Sequence, residues 1–252
     1  MIKNETIDVL LSHSSVRSFE DKPVSQDVID TILACAQRAP TSSNLQACTI
    51  IQVENMEKRT ALMEYSGGQS WLVKAPLVLL FCADLYRNEQ LLAPADKHVL
   101  HNEELFTVAV TDTALVAQKA LIAAQACGLG GVVVGGVRNE TAKMAKLFDL
   151  PELVFPMFAV CLGYPKKVPA QRPRFPMHFI HAVDKYPALP AEDELREYDD
   201  ATRKYFLEHT TDPNELGWIA RGQFAITTKP RYTVGEYLKQ AGFMTETAPY
   251  QE

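Results

Sequence analysis

The sequence predicts a fold of the α/β or α+β class, and three observations carry that expectation. Short β-branched or aliphatic runs of strand length alternate with longer segments of helical periodicity. The chain has 252 residues, 47% of them hydrophobic, enough for one large core. Beyond Leu189 the periodic segments are all helical, and they read as an extension packed on the main body. The expected organisation is therefore a core over residues 1–188 and a helical extension over residues 189–252.

The elements follow in order. Ile7, Leu10 and Leu11 form a short helical pattern. After Pro23, Ser25 is suited to start a helix whose apolar positions Val28, Ile29, Ile32, Leu33 and Ala36 recur at helical spacing before Pro40. Residues 49–53 and 77–83 are runs of strand length, the second directly after Pro76, and both read as buried strands. Residues 112–127 make a long, mostly apolar helix closed by Gly128, a helix that belongs in the interior or at a subunit interface. Residues 132–134 run as a strand into Gly135 and Gly136, Asn139 is placed to cap a helix ending at Leu147, and residues 155–162 form another core strand. The stretch after Gly163 up to and including Pro176 holds four prolines with Lys166, Lys167, Arg172 and Arg174 and no acid, a stiff cationic loop. Helices near residues 193–207 and 234–241 complete the chain, in a region where 12 acidic residues face 7 basic ones.

Composition excludes several classes of function. A formal charge of -6 argues against nucleic-acid binding, which relies on clustered cations to release counterions. No cationic segment followed by an apolar run opens the chain, and the apolar stretches fall short of the roughly 20 residues a membrane span needs, so no membrane is expected. Five cysteines, at positions 35, 48, 82, 127 and 161, form an odd set without a Cys-x-x-Cys pair and read as small core residues in a reducing compartment, the cytoplasm. The cluster Gly128-Leu129-Gly130-Gly131 fails the dinucleotide fingerprint, because its third glycine would fall on Val133 and it follows a helix. Phosphate-loop, serine-esterase and zinc-protease motifs are missing as well, and no metal is expected.

Three groups of residues remain. His13, Ser15 and Arg17 place an imidazole, a hydroxyl and a guanidinium in one turn, donors suited to a phosphate. Residues 40–46 read Pro-Thr-Ser-Ser-Asn-Leu-Gln; Ser42, Ser43, Asn44 and Gln46 offer the mix of donors and acceptors that a planar heterocycle needs, although such residues also cap ordinary turns. The basic loop after the last core strand favours an anion. Gly67-Gly68-Gln69 and Gly135-Gly136 add places for close backbone approach.

Taken together, these residues resemble the nitroreductase family, in its branch of NADPH-linked oxygen-insensitive nitroreductases and flavin reductases. The resemblance runs from about residue 9 to residue 242 and includes His13-x-Ser15-x-Arg17, the run at 40–46, Gly67-Gly68-Gln69, Ala75-Pro76 leading to Phe81-Cys82-Ala83-Asp84, Gly135-Gly136-Val137-Arg138-Asn139 and Arg172-Pro173-Arg174-Phe175-Pro176. It implies an α+β, nitroreductase-like fold with a central mixed sheet flanked by helices and a C-terminal helical extension. It also implies a homodimer with FMN bound where the subunits meet. Carried over by position, His13, Ser15 and Arg17 bind the phosphate and ribityl chain, and Arg172 and Arg174 close on the phosphate. Gln69 reaches the ribityl and pyrimidine side, Ser42, Ser43, Asn44 and Gln46 border the ring, and Val134, Gly135 and Gly136 lie near the flavin N5.

The implied activity is two-electron ping-pong transfer from NADPH or NADH to nitroaromatics, quinones or free flavins, with the flavin N5 carrying the chemistry and no catalytic side chain. In this branch the 2′-phosphate of NADPH meets arginines in the C-terminal extension, yet residues 208–217 here contain no lysine or arginine. Arg203, Lys204 or Arg221 would have to substitute from the flanks, and NADH remains an alternative donor. Two other readings fit the same residues: a non-enzymatic flavin carrier or sensor, and a specialised flavin enzyme of the same fold, dehalogenating or flavin-fragmenting. A cofactor-free interaction protein is a third.

Overall fold

The computed structural model describes residues 2–210, 216–228 and 230–245. In chain order the helices are α1 (Glu5–Leu11), α2 (Gln26–Ala36), α3 (Met56–Tyr65), α4 (Trp71–Lys74), α5 (Tyr86–Glu89), α6 (Glu103–Ala126), α7 (Thr141–Leu147), α8 (Met177–Ile180), α9 (Glu192–His209), α10 (Trp218–Thr227) and α11 (Tyr232–Gln240). The strands are β1 (Cys48–Gln52), β2 (Leu77–Asp84), β3 (Gly130–Val134) and β4 (Val154–Gly163). Two compact units result, one of Met1–Val168 with Arg231–Glu252 and one of Pro169–Pro230. Helix α11 thus belongs with the first unit.

In the first unit the four strands lie in the order β1-β2-β4-β3. Every ladder is antiparallel, with Phe81 opposite Phe158 at the centre. Among the described residues the sheet is mixed only through an isolated parallel bridge between Ser15 and Gly131. Strand side chains alternate between faces, and β2 uses both. Leu77, Leu79 and Phe81 pack with Ile29 and Ile32 of α2 and Val116, Ala120 and Leu121 of α6. Val78, Leu80 and Cys82 pack on the opposite face with Leu62 of α3, Leu72 of α4 and Met144 of α7. Burial on both faces explains why β2 reads as a continuous apolar run.

Helix α6 starts at Glu103, well before the expected residue 112, with Asn102 accepting at 2.8 Å from the backbone N–H of Leu105 as its cap. At 24 residues it is long and apolar enough by length and composition to cross a membrane, contrary to the sequence expectation. Its buried residues face α2 and the sheet, as a core helix does.

Helix α7 begins at Thr141, so Asn139 does not cap it; Asn139 Oδ1 instead accepts from Arg231 Nε at 2.8 Å. Helix α11 closes this unit's third cluster, where Tyr237 donates to the Val154 carbonyl at 2.9 Å and Phe106 packs edge-on against Phe155 and Phe243. Arg59 on α3 is buried and donates to the carbonyls of Val53 and Ala75, each at 2.6 Å, tying the ends of two strand segments.

The second unit is built on aromatic contacts. Phe175 lies 4.6 Å from Tyr198 and 4.9 Å from Trp218, centroid to centroid. Asp199 on α9 joins the helices, its carboxylate accepting at 2.7 Å from the backbone N–H of Ile219 in the first turn of α10. Helix α10 has no counterpart in the sequence reading.

Candidate functional site

The open edge of β3 is shaped by what its glycines lack. A Cβ on Gly130 would stand 2.5 Å from Val16 Cγ2, and one on Gly131 would stand 2.5 Å from Leu162 Cδ2. The bare backbone lets the segment after α1 lie against the strand, where Val16 N–H donates to the Gly131 carbonyl at 3.0 Å. The Gly128–Gly131 cluster is therefore a packing device, with Gly128 at φ +79 ending α6. His13 lies on the same edge, its Nδ1 3.3 Å from Gln125 Nε2. Ser14 is buried with its hydroxyl unpartnered, and exposed Arg17 donates to the Ser15 carbonyl at 3.2 Å with its guanidinium 5.5 Å from the Trp71 ring centroid.

At the far end of β3 the two glycine pairs meet. Gly67 and Gly68 turn with φ of +83 and +77, a conformation that favours glycine, and the Gln69 amide then donates to the Ser66 carbonyl at 2.9 Å. A Cβ on Gly136 would stand 2.4 Å from that same carbonyl and 2.5 Å from Gln69 Nε2. Gln69 is thus fixed directly against Gly136, just past the point where buried Val134 leads out of the strand. Arg138 donates to the Met157 carbonyl beside them, and burial, then the charge of Arg231, holds its pKa below the usual arginine value. Ser66 Oγ and Trp71 Nε1 are buried without partners. Orphan donors, an open backbone and a guanidinium along one strand edge fit a polar, phosphate-bearing planar group.

The third group lies elsewhere. Ser43, Asn44 and Gln46 have φ of 48, 57 and 52, left-handed values unusual for non-glycine residues. Asp112, buried within α6, holds this loop by accepting from Ser42 N–H at 3.0 Å and Ala47 N–H at 3.2 Å. A cavity of about 670 Å³ opens beside it, lined by Thr41, Gln46, Cys48, Arg87 and Asn88 among others. This loop leads into β1, at the opposite edge of the sheet from β3. Asp112, at the loop, and Gln125, at His13, sit 125 − 112 = 13 residues apart on α6, or about 20 Å. One chain therefore brings His13, Ser15, Arg17, Gln69, Val134, Gly135 and Gly136 to one strand edge, and Ser42, Ser43, Asn44 and Gln46 to the other.

In the second unit Arg172, Arg174 and Arg221 line one cavity of about 330 Å³ with Tyr198, Thr202 and Phe206. Arg203 pairs with Asp199 at 3.0 Å and Asp200 at 3.3 Å, and Lys204 lies 3.9 Å from Glu208. Of the cation-free segment 208–217, residues 211–215 lie outside the described residues.

Three of the cysteines are held as thiols. Burial pushes the Cys48 thiol up to about 11 and Cys161 to about 12, and raises Cys82 further, which keeps all three protonated and poor nucleophiles.

Sequence reasoning missed Trp71, Asp112 in its tethering role, Arg231 and Thr202. Of these, Asp112 alone left a signal, as a solitary acid inside an apolar helical run.

Comparison with known proteins gives a consistent result. A family model described as "Nitroreductase family" matches residues 10–164, and one described as "Nitroreductase family, C-terminal domain" matches residues 172–246. A Bacillus subtilis protein named FMN reductase (NADPH) is 36% identical over 246 residues, covering 95% of this chain and 98% of that protein. An oxygen-insensitive NADPH nitroreductase of Salmonella typhimurium is 34% identical over 240 residues, covering 95% and 98%. Among solved structures, the NADPH:FMN oxidoreductase of Vibrio harveyi complexed with NAD+ superposes with a TM-score of 0.87 at 30% identity, over 96% of this chain and 100% of that one.

Proposed function

This chain belongs to the nitroreductase family, and from that premise we propose that it is an FMN-dependent NAD(P)H oxidoreductase that reduces nitroaromatics, quinones or free flavins by two-electron ping-pong exchange. The observation that carries this reading is the β3 edge, where Arg17, Ser15 and His13 lead along one strand to Gln69 and the bare backbone of Gly136. A bound flavin supplies a ring nitrogen that accepts and returns a hydride.

The protein's own part is to bind and orient. Arg17 neutralises a phosphate, with Ser15 and His13 beside it as donors. Gln69, locked against Ser66, presents its remaining amide positions to the ribityl and pyrimidine side, and Gly136 leaves backbone open where the ring approaches. Arg138 and Arg231 add positive charge at the end of β3, which favours the extra negative charge of a reduced ring. No side chain acts as nucleophile or base. Arg172 and Arg174 supply cations in the second unit.

The ring-bordering residues Ser42, Ser43, Asn44 and Gln46 enter this scheme from a second copy of the chain. Their separation from Gln69 within one chain supports a homodimer, as do the exposed Leu10, Leu11, Leu91 and Leu115. Stacking on an open ring face asks only for a flat acceptor, which favours small aromatic and quinone substrates, and the compartment is the cytoplasm.

The test is direct. The purified protein is yellow, retains FMN and is bleached by NADPH or NADH under anaerobic conditions, with menadione or a nitrofuran restoring the colour. A protein that keeps its flavin but is not bleached by either nicotinamide is a carrier or sensor, and a colourless protein that gains no stability from FMN refutes both readings.

A further inference from the structure

Helix α4 opens on a tryptophan that core packing alone does not account for. Trp71 lies partly buried against the cluster that holds Leu62, Leu72 and Val137. Its indole Nε1 is nonetheless buried with no hydrogen-bond partner. An unsatisfied buried donor costs free energy, and a phenyl or leucine side chain filling the same place would avoid that cost. What an indole offers beyond either is the aromatic face that attracts a cation most strongly. That face is in use: the Arg17 guanidinium carbon stands over the ring, 5.5 Å from its centroid, within the range of a cation–π contact.

One short segment sets both ends of this arrangement. Gly67 and Gly68 turn the chain so that the Gln69 amide reaches Ser66, the Gln69 carbonyl accepts from Leu72 N–H at 3.0 Å, and Trp71 lies between them at the start of the helix. From the other side the Ser15 carbonyl accepts from Arg17 Nη1 at 3.2 Å. Arg17 lines a cavity of about 510 Å³ whose wall also carries Lys74 and Lys166 against Glu20 and Asp21, so the guanidinium is reachable from solvent in this position. A guanidinium held by a carbonyl at one corner and by a ring beneath it has less rotamer freedom to lose when it takes an anion. We propose that Trp71 is a positioning residue for the flavin phosphate, its ring holding Arg17 in the orientation that grips the phosphate. The inference rests on the reductase reading, and it assigns to the indole a part in binding the phosphate and none in binding the flavin ring.

The experiment titrates the full chain with FMN and with riboflavin, which differ by the phosphate alone, and compares the ratio of the two affinities among variants of native dichroism. Trp71→Leu lowers the FMN-to-riboflavin ratio about two- to fivefold, the worth of one exposed cation–π contact, and Trp71→Phe, which keeps a weaker ring, lowers it less. Riboflavin affinity itself is unchanged. In an Arg17→Ala background the same Trp71→Leu change leaves the ratio where it was, because the indole acts through the guanidinium. A purely structural role lowers both affinities together; that result, an unchanged ratio, or a ratio that falls as far without Arg17 overturns the proposal. Where Trp71→Leu does not fold, Trp71→Phe decides by the same ratio. If the wild type binds neither flavin, the reductase reading has failed on its own, and inorganic phosphate becomes the probe by calorimetry. Binding that Trp71→Leu weakens and Arg17→Ala abolishes supports the positioning role, and binding that Trp71→Leu leaves unchanged, or no binding, overturns it.

Discussion

Replacing Asp112 separates the loop at residues 41–47 from the helix that holds it, and the cost follows from two hydrogen bonds. The carboxylate accepts from the backbone N–H groups of Ser42 and of Ala47, and Ala47 is fully buried. A hydrogen bond to a charged group contributes about 1.5–3 kcal/mol, so Asp112→Ala removes about 3–6 kcal/mol of gross interaction. Two effects reduce the net loss. Water reaches Ser42 from the adjoining cavity, and the left-handed residues Ser43, Asn44 and Gln46 relax once the loop is free, each releasing on the order of 1 kcal/mol. A net destabilisation of about 1.5 kcal/mol remains, equivalent to a fall in Tm of about 3–6 °C for a chain of this size. Asp112→Asn keeps one acceptor oxygen and loses about half as much. Thermal denaturation of the ligand-free protein reads both values, and the KM for menadione rises in the same order if this loop borders the acceptor site. A Tm for Asp112→Ala within about 2 °C of wild type would show that the loop holds its shape without the carboxylate, and the account of its anchoring would be wrong.

Three further outcomes are expected. Gly136→Ala drives a methyl into the Ser66 carbonyl and Gln69 Nε2, so Gln69 must leave its position; FMN affinity falls at least tenfold while the α6 and α2 core is untouched, and flavin retention on gel filtration checks it. Thr202→Val removes a buried hydroxyl that lacks a partner, so the ligand-free protein gains about 1 kcal/mol in urea denaturation, whereas a loss of that size means the hydroxyl is satisfied. Stability falls on the alkaline side: burial raises Cys48 to about 11 and both Cys161 and Tyr237 to about 12, so their contribution is intact below the ordinary thiol range near 8.5 and is lost as the pH climbs through those folded values. The urea midpoint at pH 10.5 lies below that at pH 8, and Cys48→Ala lessens the drop; an unchanged midpoint contradicts the burial assigned to these groups.

Much of this was legible in the chain, for reasons that separate the readable residues from the rest. Strands β2 and β4 stand out because burial on both faces leaves them apolar save for Asp84 at the end of β2, and α2 because its apolar residues keep one face. The same two-sided burial hides strand direction, so nothing in residues 77–83 distinguishes an antiparallel neighbour from a parallel one. Helix α6 reads short because Thr107, Val108, Val110 and Thr111 are β-branched and helical only under tertiary packing. Asp112 illustrates the limit for the site: as a residue type it suggests a helix start, and its use as an anchor follows only from the approach of Ala47 across 65 positions of sequence. The contact of Arg17 with Trp71 is equally non-local. His13, Ser15, Arg17 and Gln69 can be proposed from the chain alone because their order along it is itself the pattern.

The geometry also explains why a catalytic apparatus of side chains is unnecessary. The bare backbone of β3 and of the turn after it serves access: Gly130 admits the segment that carries Ser15 and Arg17, and Gly136 admits the Gln69 amide. The features that resist change, the Asp112 tether and the Cys48 thiol at the start of β1, lie away from that edge. Such a division suits an enzyme whose cofactor performs the chemistry, because the protein need only fix a phosphate and one amide and leave a ring face uncovered. On the proposed homodimer the ring pocket depends on a partner chain: the loop at residues 41–47 is stiffened by Asp112 within its own subunit and leads into β1, at the sheet edge opposite β3, so the tether serves catalysis when another copy supplies the β3 edge beside it.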